Sequence, residues 1–317
     1  MAEDGLIVDG RAVRVTSPGR ELLPGLTKRA ALDYFLAVGD GILGALRERP
    51  VMLERRREDE VFFQRRLPKG APDWVTTVRL AEYDAVCPQE LAVVAWMVNL
   101  GTVTSHPWPV RRDALGRPDQ LLIDLDPQPG TGFADAVLVA RGLREVLAER
   151  GLESFPKTSG SRGLHVIVPI EPRPWREVQA LREAIGREVV ARLPGLATME
   201  RLKRDRGARV YVDCGPQTVA SAYSVRPGAL VSAPVAWDEL DDVDPDELTL
   251  ATVPARLERD GDPWEGIDAA PQSLEPLLEL HERDRANGLL DAPWPPVYPK
   301  QPDEPPRVAP SRARRPG

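Results

Sequence analysis

The chain has 317 residues, enough for one large domain or two tightly joined ones, and its 42 Lys+Arg against 49 Asp+Glu give a formal charge of -7. That balance withholds support from a nucleic-acid partner while leaving a local basic groove open. Two distant cysteines, Cys87 and Cys214, read as reduced thiols without metal-ligand spacing, three histidines are too few for a His-rich metal site, no apolar run reaches bilayer length, and the acidic start "MAEDGLIVDG" lacks a signal pattern, so a cytoplasmic location with no membrane partner is expected.

After the turn-rich "VTSPGRELLPGLTK", the spacing of Leu32, Phe35, Leu36, Ile42, Leu43 and Leu46 in "RAALDYFLAVGDGILGALRER" predicts a helix capped by Thr27. "VMLERR" and "EVFFQRRL", parted by "REDE", read as a hairpin with cationic ends. "QELAVVAWMVNL" predicts an apolar helix, "GTVTSH" a short strand, and "QLLIDLDP" a second strand ahead of the amphipathic helix "FADAVLVARGLREVLAERG". "ESFPKTSG" and "LHVIVPI" are strand-like around the loop "SGSRG", "WREVQALREAIGREVVARLP" is helical, and "ARVYVD" is again a strand. Interleaved strands and helices give an α/β or α+β fold with a mixed sheet. From about residue 288 onward the proline-crowded, basic-ended sequence predicts an extended tail that wraps the surface, or a basic arm touching nucleic acid.

Alternation puts Asp124 and Asp126 on one face of their strand, with Ile123, Leu125 and the earlier leucines on the buried one. Adjacent carboxylates repel, and a shared hard cation is the simplest way to keep both ionised; a strand-end turn in which they accept backbone hydrogen bonds fits the pattern equally well. In "PKTSGSRGLHVIV", Gly160 and Gly163 permit a tight turn whose N–H groups could cradle phosphate oxygens, with Ser159, Ser161, Arg162 and His165 as further donors; a plain Ser/Gly hairpin reads the same. Asp213 ends the strand "RVYVD", where a lone carboxylate is usually structural but a third one is what a metal pair needs. Lys203 and Arg206 lie in a charge run, and "ASAYSVRPG" places Arg226 at the end of a further strand.

The ordered set "LLIDLDPQPGTGF", "FPKTSGSRGLHV", "VYVD" and "TVASAYSVRP…VSAPVAWDEL" closely resembles the polymerase domain of bacterial ligase D, in the archaeo-eukaryotic primase superfamily, and most of all its stand-alone actinobacterial Prim-Pol members. The resemblance implies a primase-type catalytic core with mixed β-sheets, an RNA-recognition-motif-like half and flanking helices. It implies a single catalytic domain over 1–287, with an N-terminal α/β part over about 1–115, a metal-binding core over about 116–287, and a tail over 288–317. It further implies that Asp124, Asp126 and Asp213 are catalytic and hold two Mn²⁺ or Mg²⁺ ions, and that His106, Ser159, Ser161, Arg162, His165, Lys203, Arg206 and Arg226 bind the nucleotide. Ser17, Arg20, Lys28, Arg55, Phe62 and Phe63 would meet DNA, the phenylalanines by stacking on template bases, although alternation alone would put one of those two in the core. The implied activity is template-dependent primer extension or short gap filling in end-joining repair by a nucleotidyltransferase that prefers ribonucleotides. Its partners would be gapped or broken DNA with a 5′-phosphate, NTP or dNTP, a Ku-type protein and a separate ligase.

Ser17 and Arg20 stand where the family pattern prefers Asn and Lys, which keeps hydrogen bonding and charge respectively. Glu54 stands where a lysine is usual, a reversal expected to weaken a phosphate or template contact, and "CGPQT" shortens the turn after Asp213. These departures support a second reading, a DNA-end or gap-binding module with little catalysis. The Asp-x-Asp pair by itself also suits a metal-dependent sugar transferase.

Overall fold

The N-terminal stretch forms four short strands, β1 (Asp4–Val8), β2 (Arg11–Val15), β3 (Glu21–Leu23) and β4 (Leu26–Thr27), in a computed structural model that describes residues 4–57, 60–80 and 82–289. They pair as two antiparallel hairpins, the second of them, β3 with β4, inside the stretch read as turn-rich. Helix follows in two pieces, α1 (Lys28–Ala37) and α2 (Gly39–Leu46), rather than the single predicted one. Thr27 caps α1 as expected, its Oγ1 accepting from the Ala30 N–H at 3.2 Å. The break falls at Val38, ahead of the glycines of "GDG", which are poor helix formers. Gly41 has a packing reason as well, because a Cβ there would lie 2.4 Å from the Tyr223 ring.

The predicted hairpin is β5 (Val51–Arg57) with β6 (Glu60–Gln64), antiparallel. With β7 (Thr77–Leu80), β8 (Tyr83–Val86) and, after the buried helix α3 (Leu91–Asn99), β9 (Thr102–Pro107), they build a first five-stranded sheet in which β5 pairs with β6, β8 and β9. β6 is an edge strand, and both Phe62 and Phe63 are exposed, at 38% and 54%. Neither is core, which corrects the expectation from alternation: among the described residues both side chains stay exposed on this edge strand.

The second sheet runs β11 (Phe155–Thr158), β12 (Leu164–Pro169), β10 (Gln120–Pro127), β14 (Val210–Asp213), β13 (Ala197–Thr198), antiparallel except for the β13–β14 pair. Helices α4 (Phe133–Ala148) and α5 (Trp175–Arg192) pack on the face that carries Leu121, Ile123 and Leu125. Leu122 lies on the other face with Ile167 and Val219, so it shares the aspartates' side rather than the one assigned to the earlier leucines. Helix α6 (Thr252–Asp260) follows, and α7 (Glu275–Ala286) lies along α5. Of the expected tail, residues 290–317 lie outside the described residues.

The segment before Arg226 bridges the two sheets. Ser221 and Val225 N–H groups donate to Ser105 and Val103 of β9, Ser232 N–H donates to Ser224, and Thr158 of β11 donates to Ala233. Arg226 therefore does not end a strand: Val225 makes a single bridge to Val231 before a 3₁₀ turn over Pro227–Ala229. Cys87 and Cys214 are free and buried, and among the described residues no helix is long and apolar enough to cross a membrane.

A buried ion cluster ties the two halves together. Arg49, 1% exposed, holds Asp119 bidentately, with Nη2 to Oδ2 at 3.0 Å, and Arg111 Nε reaches the same carboxylate at 2.7 Å. Burial alone would raise the Asp119 pKa, but the two guanidinia outweigh it and hold it below the usual carboxylate range. A depressed pKa contributes stability above the unfolded value and loses it as pH falls through the folded one. Asp119→Ala should therefore cost about 3 kcal/mol in urea unfolding at pH 7, because Arg49 loses its main partner, and the cost should shrink toward pH 3.

Candidate active site

Antiparallel register brings the three aspartates together from strands far apart in sequence. Asp124 on β10 stands directly opposite Asp213 on β14 and, on its other side, opposite His165 on β12; Asp126 lies two residues along the same face. Burial first, then the charges of Asp213 and Asp126, raise the Asp124 pKa to about 7. Burial also raises that of Asp213, against the Gly215 N–H and the charges of Arg182 and Arg206. Asp126 accepts from Gln128 Nε2 at 3.0 Å and Asp213 from the Gly215 N–H at 2.8 Å. Among the described residues no three His, Cys, Asp or Glu side chains converge closely enough, as they stand, to enclose an ion. The donor set nonetheless fits a hard divalent cation, since repulsion among three carboxylates on one sheet face is what such a charge relieves.

The shortened "CGPQT" turn is pinned from α5: Arg182 Nη1 donates to the Pro216 carbonyl at 2.7 Å and Gln179 Nε2 to that of Cys214 at 3.3 Å. Asp213 thus keeps its position although the turn is short.

The "SGSRG" loop closes the β11–β12 hairpin beside the aspartates. Ser159 N–H donates to the Gly163 carbonyl at 2.9 Å and Ser159 Oγ accepts from the Gly163 N–H at 3.1 Å, so this hydroxyl shapes the loop, while Ser161 and Arg162 are exposed at its tip. Gly163 touches β10, where a Cβ would lie 2.4 Å from the Leu125 carbonyl oxygen; Gly160, at φ 70°, packs on Arg226.

His165 is buried, its Nε2 3.5 Å from Asp124 Oδ1 and its Nδ1 2.6 Å from Lys157 Nζ. Sequence reading missed Lys157, yet it is 1% exposed, opposite His165 in register, and hydrogen-bonded to Ser232 Oγ. The available signal was a lysine inside an otherwise uncharged strand. Burial, then the charge of Arg226, pushes its pKa well down, and burial with Lys157 does the same to His165.

Arg226 stands at the seam between the sheets and donates through Nη1 to Glu54 Oε2 at 3.2 Å; His106 Nε2 is 3.0 Å from the same oxygen. Glu54 points the opposite way from Arg55 along β5, toward Arg226 and His106, so of the two contacts it is expected to weaken, phosphate or template, it lies beside the residues expected to hold phosphate. Phe63, directly across from Glu54, sets its ring edge-on to His106 at 5.5 Å. Arg206 is buried over the Tyr211 ring at 3.4 Å and donates to the Glu200 and Arg201 carbonyls, while Lys203 is exposed. A cavity of about 520 Å³ continues along the aspartates' sheet face past Lys157, but Asp40, Asp262 and Asp268 line it, which disfavours a polyphosphate there.

The other face of the β5–β6 hairpin is cationic. Arg55 lies over Phe62 at 5.3 Å and is anchored to the Leu100 carbonyl, and Arg20 is close enough to lower the pKa of both Arg55 and Lys28, after burial in each case. Ser17 and Arg20 are exposed and joined by a turn, whereas Lys28 is buried and bound to Thr16 and Asn99. The surroundings of the aspartates are thus mixed in sign despite the acidic total.

The family described as "LigD, primase-polymerase domain" matches residues 27–264. The multifunctional non-homologous end joining DNA repair protein LigD of Mycobacterium tuberculosis is 31% identical over 281 residues, covering 81% of this chain and 37% of that protein. The bifunctional non-homologous end joining protein LigD of Bacillus subtilis is 30% identical over 266 residues, covering 80% of this chain and 43% of its own length, so the chain spans less than half of either relative. Among solved structures, the polymerase domain from Mycobacterium tuberculosis ligase D in complex with DNA is similar with 31% identity and a TM-score of 0.76, covering 82% of this chain and 99% of that one.

Proposed function

The chain belongs to the LigD primase-polymerase domain family, and on that premise we propose that it is a template-dependent nucleotidyltransferase that extends primers or fills short gaps during end-joining repair, with ribonucleotides as preferred substrates. The observation that carries this reading is the facing of Asp124 and Asp213 across β10 and β14 with the "SGSRG" loop closed against the same strand. Asp124, Asp126 and Asp213 would hold the divalent cations, Mn²⁺ or Mg²⁺, whose charge offsets that of the triphosphate and favours a primer 3′-oxygen nucleophile.

The chain's own residues do the positioning. Ser161 and Arg162 offer donors at the loop tip, and His165 turns Nε2 toward the aspartates. Exposed Phe63, beside the nucleotide side of the hairpin, offers a stacking surface, and Phe62 offers a second on the face shared with Arg55. A DNA 5′-phosphate would meet Arg20 and the Ser17 turn, with Lys28 holding Thr16 in place beneath them.

The test is extension of a primer across a 5′-phosphorylated gap with ribonucleotides and Mn²⁺, beside an Asp124→Ala, Asp126→Ala control. Templated addition by the wild type alone is expected; no addition by the wild type sinks the proposal. A second reading, gap binding without turnover, draws on the pairing of Glu54 with Arg226 and His106, and tight gap binding in the absence of addition would favour it.

A further inference from the structure

Arg226 is the guanidinium whose charge reaches Asp124, Lys157 and His165 alike, and its side chain packs against Gly160 of the anion loop. Its Nη1 and the His106 Nε2 both meet one oxygen of Glu54, at 3.2 Å and 3.0 Å. The Glu54 side chain is 9% exposed, and burial would raise its pKa, but the His106 hydrogen bond and the Arg226 charge outweigh that and keep it ionised. The cationic edge of the site is therefore already engaged by a buried carboxylate of the chain itself. A polyanion approaching the aspartates along this loop meets a guanidinium whose charge Glu54 already offsets through Nη1, and competes with that carboxylate for it.

We propose that Glu54 is an internal competitor for the incoming triphosphate: it holds Arg226 and His106 in the nucleotide-free chain, yields them when phosphate oxygens arrive, and so sets nucleotide affinity. This rests on the polymerase reading above. The alternative, that Glu54 positions Arg226 and His106 for the nucleotide, predicts effects of the opposite sign.

The experiment measures equilibrium binding of ATP and of inorganic tripolyphosphate to wild type and Glu54→Gln, together with KM and kcat for gap filling. The glutamine keeps the shape and removes the charge, so both ligands should bind about tenfold more tightly, with KM falling in parallel and kcat not rising. Adenosine, which lacks phosphates, should bind both proteins equally. Should Glu54→Gln melt early, Glu54→Asp, with its carboxylate drawn back by one methylene, serves instead and should bind tripolyphosphate more tightly than wild type. Equal or weaker triphosphate binding by well-folded variants, with wild type binding normally, overturns the competitor role and leaves the polymerase reading standing. If no form binds triphosphate at all, the polymerase reading falls and the competitor role falls with it.

Discussion

Asp124→Asn should abolish templated addition, by about 10³-fold or more, while raising the melting temperature of the cation-free protein at pH 8. Both outcomes come from one placement: Asp124 sits between His165 and Asp213 in register, with Asp126 on the same face, and burial together with the two neighbouring carboxylates lifts its pKa to about 7. A carboxyl whose folded pKa is raised holds a proton that the unfolded chain has already released, between the ordinary value of 3.8 and about 7. Stability therefore falls as pH rises through that window, and the full destabilisation is present above it. Asparagine removes the cost. Because 29% of the side chain is exposed, solvent screens part of the repulsion, and a gain of a few degrees is the expected size. The measurement is a pair of melts with chelator, at pH 5 and pH 8, on variant and wild type. A difference clearly larger at pH 8 than at pH 5 supports mutual repulsion, an equal difference at both pH values removes it, and residual addition by Asp124→Asn would take catalysis away from this strand.

Much of this site could be read from alternation. Asp124 and Asp126 share a face because side chains repeat every two residues, and the same rule, applied to "MLERR", puts Glu54 and Arg55 on opposite faces of their strand. What alternation could not supply is partners. The facing of Asp124 and Asp213 is a matter of strand order and register across almost ninety residues, and Glu54 meets Arg226 only because the segment over 221–235 links β9 to β11. Phe62 and Phe63 show the rule failing for a physical reason, since alternation buries one face only when something packs on it, and β6 is an edge. The break at Val38 was written in "GDGILG", where the glycines weaken a continuous helix and Gly41 makes room for Tyr223. Strands of two to five residues, such as β1 to β4, carry too few alternating positions to stand out from the turns between them.

Lys157→Met should cut templated addition by about 10- to 100-fold without unfolding the chain, because it removes the group that fixes His165 rather than one that touches the reacting atoms. Lys157 Nζ finds three acceptors, His165 Nδ1 at 2.6 Å, the Thr158 carbonyl at 3.4 Å and Ser232 Oγ, which match the three N–H donors of an ammonium. Burial, then the charge of Arg226, pushes its pKa well down against the pull of nearby Asp124, and the amine keeps N–H groups to donate to Nδ1 in either protonation state. With Nδ1 accepting, the neutral imidazole carries its proton on Nε2, the nitrogen facing Asp124 at 3.5 Å. A donor is thereby aimed at the place where phosphate oxygens would approach the aspartates. Methionine keeps the volume and the apolar packing but offers no N–H, so His165 is free to move its proton to Nδ1 and present a lone pair instead. Nitrogen NMR of the imidazole should show an Nε2–H tautomer in the wild type and a mixture in the variant, with kcat reduced more than nucleotide affinity. A variant with an unchanged tautomer and full kcat would show that Lys157 only fills the strand; a changed tautomer with full kcat would show that the Nε2 proton is not used.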